Sequence, residues 1–393
     1  MLGGFNGRQK YVIGTIGLIE IVRLFGIFMI LPVLEIYAHS ISNSDFLVSL
    51  AFGIYGLAMA LFQFVFGRLS DRIGRKSTII IAMIPYIVGN LICFIYPDIY
   101  VLIIGRFIAG AGAVGSAGVS LVQESVPDDK RNTAMALLGI PVGLAFLLGL
   151  LAGPTIGYYI GLRDVFLVSV ILGLISIMIM IPLHAPVMRR AEKFRVSIVN
   201  KRTISVGIAG FFVSFIMIEF FYYFQVALTT MFTHSNFILA IFIPALIGGA
   251  ISVALAGLYE KSKGIKYPLI SISAVLISTI LIFPITEIYR NLYPLEIGAL
   301  IFFIGYSMYE IVFPPLVIRF SRLDEYGANI GFFNTFQHTG QFLGGFIAGN
   351  VIGFMITGNG ITVAFLISFA SLAISILILA LSSRSSSPIR RSV

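Results

Sequence analysis

Long apolar runs, each interrupted by a short charged or turn-rich stretch, extend over the whole chain. Twelve are counted, at roughly 12–36, 45–67, 78–97, 99–122, 132–158, 164–183, 204–232, 235–258, 268–285, 294–318, 328–356 and 361–381. A helix needs about 20 apolar residues to cross a hydrocarbon core, and these runs have that length. Their apolar positions are continuous and show no strict period-two alternation. Helices, which satisfy their own backbone in lipid, are therefore predicted in place of barrel strands. The opening MLGGFNGRQK has no small-residue cleavage site after a short apolar core, so the first run reads as a retained helix. The expectation is an all-α polytopic membrane protein with twelve spans.

Composition sharpens this. Of 393 residues 58% are hydrophobic and only 11% charged, with a mean hydropathy of +1.02. No soluble sphere of this size hides so much apolar surface, and no disordered chain carries it. The net charge is +9. With the N-terminus placed inside, 22 of the 26 Lys and Arg fall on inside segments. Arg163 and Arg290 fall outside, and Arg23 and Arg106 lie within spans. This asymmetry orients the chain with both termini cytoplasmic. Cys93 is the sole cysteine, which excludes an internal disulfide and a cysteine-based metal cluster. Tryptophan is absent, so any interfacial aromatic belt must be built from tyrosine.

The longest hydrophilic stretch, HAPVMRRAEKFRVSIVNKR, separates two sets of six spans. The predicted organisation is a first six-helix bundle over 1–183, a basic cytoplasmic linker over 184–203, a second bundle over 204–381 and a cytoplasmic tail over 382–393. A tandem duplication would explain the division; the linker can also hold anionic lipid.

The loop after the second run reads GRLSDRIGRKS, Gly67 to Ser77. Gly67 and Gly74 permit a tight reversal, and Asp71 lies among Arg72, Arg75 and Lys76. Gly67, Leu69, Asp71, Arg72, Gly74, Arg75 and Lys76 fit the signature G-x-L-x-D-r-x-G-r-k. On these residues the chain resembles the major facilitator superfamily. The segments Leu24–Leu34 and Gly105–Gly118 are similar to the first and fourth helices of its YajR-type branch of drug exporters. The resemblance implies two pseudo-symmetric six-helix bundles that rock about a central site. It implies that Asp71 docks against the start of the eleventh helix, and that Arg75 joins a relay to Glu124, latching the cytoplasmic side. Span five carries GLLAGPTIG, in which Gly149, Gly153, Pro154 and Gly157 fit the family's antiporter-associated pattern. Physically, glycines four apart make a flat packing face and Pro154 frees a backbone group. The second-half loop AGLYEKSKGIK echoes the signature through Glu260 and Gly264, and GQFLGGFIAG in span eleven echoes the glycine face without a proline. One departure is Ala109, where the family usually has a glutamine after the arginine corresponding to Arg106.

Away from the span ends, charge is confined to four interiors: Glu20 and Arg23 in the first, Arg106 in the fourth, Glu219 in the seventh and Glu310 in the tenth. An ion at the bilayer centre costs at least ~2.5 kcal/mol, so these groups should face protein or water. The resemblance implies that these same four helices line the central cavity. Glu20 and Arg23 are three apart on one face and can simply neutralise each other. Glu219 and Glu310 are the candidate proton carriers, with Arg106 or Arg23 as switching partners; the competing role is a counter-charge for a cationic substrate. Pro314 and Pro315 should break or kink the inner end of span ten. His338, with Asn334, Gln337 and Gln341, forms a polar stripe, either a cavity wall or a packing contact. Tyr222 and Tyr306 are candidate substrate contacts.

The chain lacks a phosphate loop and paired-histidine ligand spacing. The expected function is secondary transport without catalysis, cofactor, metal or nucleic acid, energised by an ion gradient, most simply protons. Proton-driven export of a small amphipathic molecule by a plasma-membrane monomer in the lipid bilayer is favoured. Metabolite uptake by symport or uniport is the runner-up, and a non-transporting receptor or scaffold the alternative of another class.

Overall fold

The computed structural model describes residues 4–112, 115–127, 130–183, 201–231, 237–259, 266–286, 291–320, 326–353 and 360–384. Among these, fourteen α-helices are formed: α1 (Gly7–Ile30), α2 (Leu34–Ile41), α3 (Asp45–Ile73), α4 (Arg75–Ile95), α5 (Ile99–Gly110), α6 (Gly115–Ser125), α7 (Arg131–Tyr159), α8 (Asp164–Met180), α9 (Lys201–Met231), α10 (Phe237–Tyr259), α11 (Lys266–Ile280), α12 (Leu292–Phe320), α13 (Tyr326–Gly353) and α14 (Gly360–Arg384). A π-helical segment, Leu281–Ile285, continues α11. The described residues contain no strand.

The predicted spans correspond to these rods, with two of them divided. Span one is interrupted at Leu31–Val33, beside Pro32, and continues as α2. Span four is divided between α5 and α6 near Gly112, where a Cβ would stand 2.7 Å from Tyr86 Cβ. Caps fix several starts. Asn6 and Gln9 form a reciprocal capping box at α1, and the Asp98 carboxylate accepts from the Tyr100 and Val101 amides at α5. Helix α12 runs unbroken through Pro314 and Pro315 to Phe320, contrary to the expected break. Each proline removes a single donor, and flanking helices in a membrane bundle hold such a rod together.

Many helices leave large apolar side chains exposed, among them Leu61, Ile104, Met178, Ile251, Ile277 and Leu377, which makes a lipid-facing surface. Exposed tyrosines at the ends of α4 and α7 and the starts of α5 and α12 (Tyr96, Tyr100, Tyr158, Tyr159, Tyr293) gather at the end opposite the Gly74 corner. That is the tyrosine belt expected of a tryptophan-free chain.

The cores show how the halves meet. One buried cluster draws on both: Met29, Leu34, Val48, Phe52 and Phe166 from the first half join Phe220, Phe302, Tyr306 and others from the second. A separate cluster around Val12, Ile16, Ile79, Leu121 and Leu138 draws, among the described residues, on the first half alone, at its Gly74 end. The shared core therefore lies toward the Asp45 end. There α3 and α13 touch backbone to backbone: a Cβ on Gly345 would stand 2.5 Å from the Gly53 nitrogen. Phe46 and Phe346 add an edge contact at 5.8 Å, and Phe52 meets Tyr222 of α9 at 5.8 Å.

Candidate functional site

At the corner between α3 and α4, Gly74 has φ +95°, caps one helix and starts the next, and donates its amide to Ser70 O at 3.1 Å. An L side chain rarely adopts that angle, which explains a glycine in the motif. The reversal puts Arg75 in reach of α6. Its Nε and Nη2 donate to Glu124 Oε1 at 3.0 and 2.7 Å, and its Nη1 donates to Ser70 Oγ at 2.8 Å. Lys76 Nζ donates to the Ile181 carbonyl at 2.6 Å, tying the corner to the end of α8. Arg72 is exposed, and nothing stands within 4 Å of a Cβ built on Gly67. Asp71 belongs to α3, but its side chain lies outside the described residues, as do Glu260 and Gly264.

The glycine faces do close-packing work in both halves. In α7, a Cβ on Gly149 would stand 2.9 Å from Phe25 O, and one on Gly153 would collide with Met29 O. In α13, Cβ atoms on Gly340 and Gly344 would collide with Phe211 O and Phe215 O of α9. Two glycines four apart thus rest on two carbonyls four apart in each half. Gly157 faces Leu162 and Val33, and Pro154 is buried within an unbroken α7.

The embedded ions of the first half form one buried group. Arg23 Nη2 donates to Glu20 Oε2 at 2.5 Å. Opposite them α6 offers glycines: Glu20 Oε1 lies 3.1 Å from a Cβ position on Gly118, and Arg23 Nη2 3.8 Å from that on Gly115. Any larger residue at Gly118 would displace the pair. Arg106 is buried with its Cζ 4.4 Å from the Tyr55 ring centre, and its Nε donates to the Ala51 carbonyl at 3.5 Å. Its Nη1 has no hydrogen-bond partner among the described residues. Tyr86 reaches the Arg23 carbonyl at 3.5 Å.

The second half centres on Glu310. Its Oε1 accepts from Tyr306 Oη at 2.7 Å on its own helix and from Gln337 Nε2 at 3.1 Å on α13. The carboxylate is half-buried, whereas Tyr306 and Tyr309 are fully buried. Tyr306 stacks on Phe302 at 5.7 Å, and Phe146 of the first half packs on its ring at 5.6 Å. His338 Nδ1 lies 3.0 Å from Gln341 Oε1, and Asn334 is half-buried one turn earlier. Glu219, grouped with Glu310 by the sequence pattern, is seated elsewhere. It is sealed between α9 and α14, where Ser368 Oγ donates to its Oε2.

The family model of the Major Facilitator Superfamily matches residues 16–345. The chain belongs to the major facilitator superfamily. Inner membrane transport protein YajR of Escherichia coli is 26% identical over 363 residues, 89% of this chain and 79% of the relative. The class B tetracycline resistance protein of Escherichia coli is 29% identical over 148 residues, 36% of each chain. Among solved structures, an inward-facing, occupied bacterial homologue of the human lysosomal transporter Spinster superposes with a TM-score of 0.71 at 16% identity, covering 97% of this chain and 96% of that one. The protein is thus a multi-pass membrane transporter of this superfamily, and its helical architecture matches the superfamily fold.

Set in the superfamily fold, several contact residues were silent in the sequence. Ser70, Ser368, Tyr55 and Tyr86 complete the networks of Arg75, Glu219, Arg106 and Arg23. Serines and tyrosines are common in apolar runs, and no spacing distinguishes these. Tyr222 stands at the seam with α3, and Tyr306 is the phenol that holds Glu310.

Proposed function

We propose that this transporter exports small amphipathic molecules in exchange for protons, with Glu310 as the carboxyl that binds and releases the proton. The observation that carries this reading is the placement of Glu310. A partly buried acid in mid-span is held by a phenol from α12 and an amide from α13, beside aromatic faces contributed by both halves. A carboxylate so placed attracts a cationic or amphipathic guest while ionised and releases it on taking a proton. Rocking of the halves about the α3–α13 seam then exposes the group to each side in turn. The export direction is supported by the glycine–proline pattern of α7 and by the partial likeness to a tetracycline resistance protein. In this reading the protein works in the plasma membrane as a monomer, with both termini in the cytoplasm and no cofactor beyond the proton gradient.

The test uses inside-out membrane vesicles and ethidium, a planar cation. An acid interior drives ethidium inward in the wild type. Glu310→Gln abolishes this gradient-driven flux and weakens ethidium counterflow with it, because the neutral amide stands in for the protonated acid, the form that releases the guest. Full gradient-driven flux in the Gln variant would refute the assignment.

A further inference from the structure

Glu219 and Glu310 bond to different helices, α14 and α13 respectively. The Glu219 side chain is wholly buried, and its Oε2 accepts from Ser368 Oγ across the α9–α14 interface. Its Oε1 has no partner among the described residues. On either side along α9 the neighbours are aromatic: Phe215, Phe220, Phe221 and Tyr222 are all buried. Among the described residues no basic group bonds Glu219. On the elements packed against α9, the titratable groups bond elsewhere. Glu35 of α2 and Asp45 of α3 lie 3.5 and 3.6 Å from the imidazole of His39. Tyr306 and Glu310 of α12 bond each other, Tyr309 bonds Ser214 and the Gly210 carbonyl, and His338 of α13 bonds Gln341. Lys266 and Arg384 stand at the ends of α11 and α14.

An ionised carboxylate in that setting would hold an uncompensated charge with one hydroxyl for solvation, which burial penalises strongly. A hard metal cation would not relieve it, since such ions take about six or more oxygens and this pocket offers the two of Glu219 and one of Ser368. A proton suffices. We propose that Glu219 is a standing proton-binding site, a neutral acid that clasps α9 to α14 throughout the transport cycle and does not exchange its proton. Glu219 is then a positioning residue: it holds the aromatic face of α9 in register with the seam, and Glu310 alone carries the coupling.

Infrared difference spectroscopy on the reconstituted full chain tests this without any substrate. The wild type shows a protonated-carboxyl band that is lost in Glu219→Gln and stays constant from about pH 5 to about pH 9. The Gln variant keeps the wild-type unfolding temperature, because its amide preserves the Ser368 bond. Ser368→Ala lowers that temperature by a few degrees, about the effect of one lost buried bond. Gradient-driven ethidium flux in Glu219→Gln stays within about twofold of wild type, since RT ln 2 is well under 1 kcal/mol. A Glu219 band that titrates within the range, or a Gln variant that keeps counterflow and loses gradient-driven flux, would overturn the proposal. If ethidium is not carried at all, the infrared titration and the Ser368→Ala melt still decide it.

Discussion

In the first half, Gly149 and Gly153 of α7 lie against Phe25 and Met29 of α1; in the second, Gly340 and Gly344 of α13 lie against Phe211 and Phe215 of α9. The packing device is the same. The chemistry beside it is not. Next to the first pair, the embedded ions are matched within one helix, Glu20 against Arg23, and sealed by the glycines of α6. Next to the second pair, α13 turns a half-buried polar stripe toward α12, and Gln337 reaches the carboxylate of Glu310. The two halves share this backbone contact and differ in the charges embedded beside it. Close packing tolerates little change, since a single methylene is felt in a dense interface. An embedded charge can be relocated wherever a partner is within reach.

The comparison breaks most readily at the glycines themselves. Gly153→Val and Gly344→Val each drive a side chain into a facing carbonyl, a strain of about 1–3 kcal/mol or more. Both variants are expected to lower the unfolding temperature by several degrees and to reduce the yield of folded protein. Gly331→Ala, on the same helix as Gly344 but with nothing within 4 Å of its Cβ, is expected to match the wild type. A neutral Gly344→Val beside a damaged Gly153→Val would mean that the two halves do not share the device.

The α3–α13 seam sharpens the comparison, because it joins the two halves. Gly345 turns its other face to Gly53, so one helix packs within its own half and across to the other through adjacent glycines. Gly53→Val is expected to part the Asp45 ends. A penalty of about 1–3 kcal/mol on the closed seam corresponds to roughly a 5- to 150-fold shift in the ratio of states. Spin labels at Ser42 and Asn291, in a Cys93→Ala background, would report a longer distance population. An unchanged distance distribution would show that the seam does not move.

What the sequence disclosed and what it withheld follow from the same physics. Apolar runs are local statistics, so the helical, membrane-spanning character of the superfamily fold was legible. The GQFLGGFIAG echo was visible too, but its landing places, Phe211 and Phe215, were not, because nothing in a phenylalanine signals that its carbonyl is the contact. Arg75 and Glu124 are 49 residues apart, and only the resemblance paired them. Glu219 and Ser368 are 149 residues apart. A helix number says which rod carries an acid, not which side of the rod, so the pattern of charges on spans one, four, seven and ten placed Glu219 and Glu310 together. In the structure each bonds its own partners, Ser368 for Glu219 and Tyr306 with Gln337 for Glu310. Of the break or kink expected at Pro314 and Pro315, the break is absent: α12 is continuous through both prolines.

The smallest expected effect lies at the Gly74 corner, where the first half carries an ion pair whose second-half counterpart lies outside the described residues. Arg75 holds Glu124 with two donors and Ser70 with a third, yet the Glu124 side chain is 37% exposed. Solvent screening limits such a pair to roughly 0.2–1 kcal/mol. Arg75→Gln and Glu124→Gln should therefore each lower the unfolding temperature by no more than a few degrees, and the double variant should lose less than the sum of the singles. Salt should shrink the coupling, because screening acts on partly exposed charges. A coupling well above 1 kcal/mol that survives high salt would show instead that the corner is desolvated during the cycle. The Arg75–Glu124 pair would then bear on the balance between conformational states, and its variants would shift the same label distances as Gly53→Val.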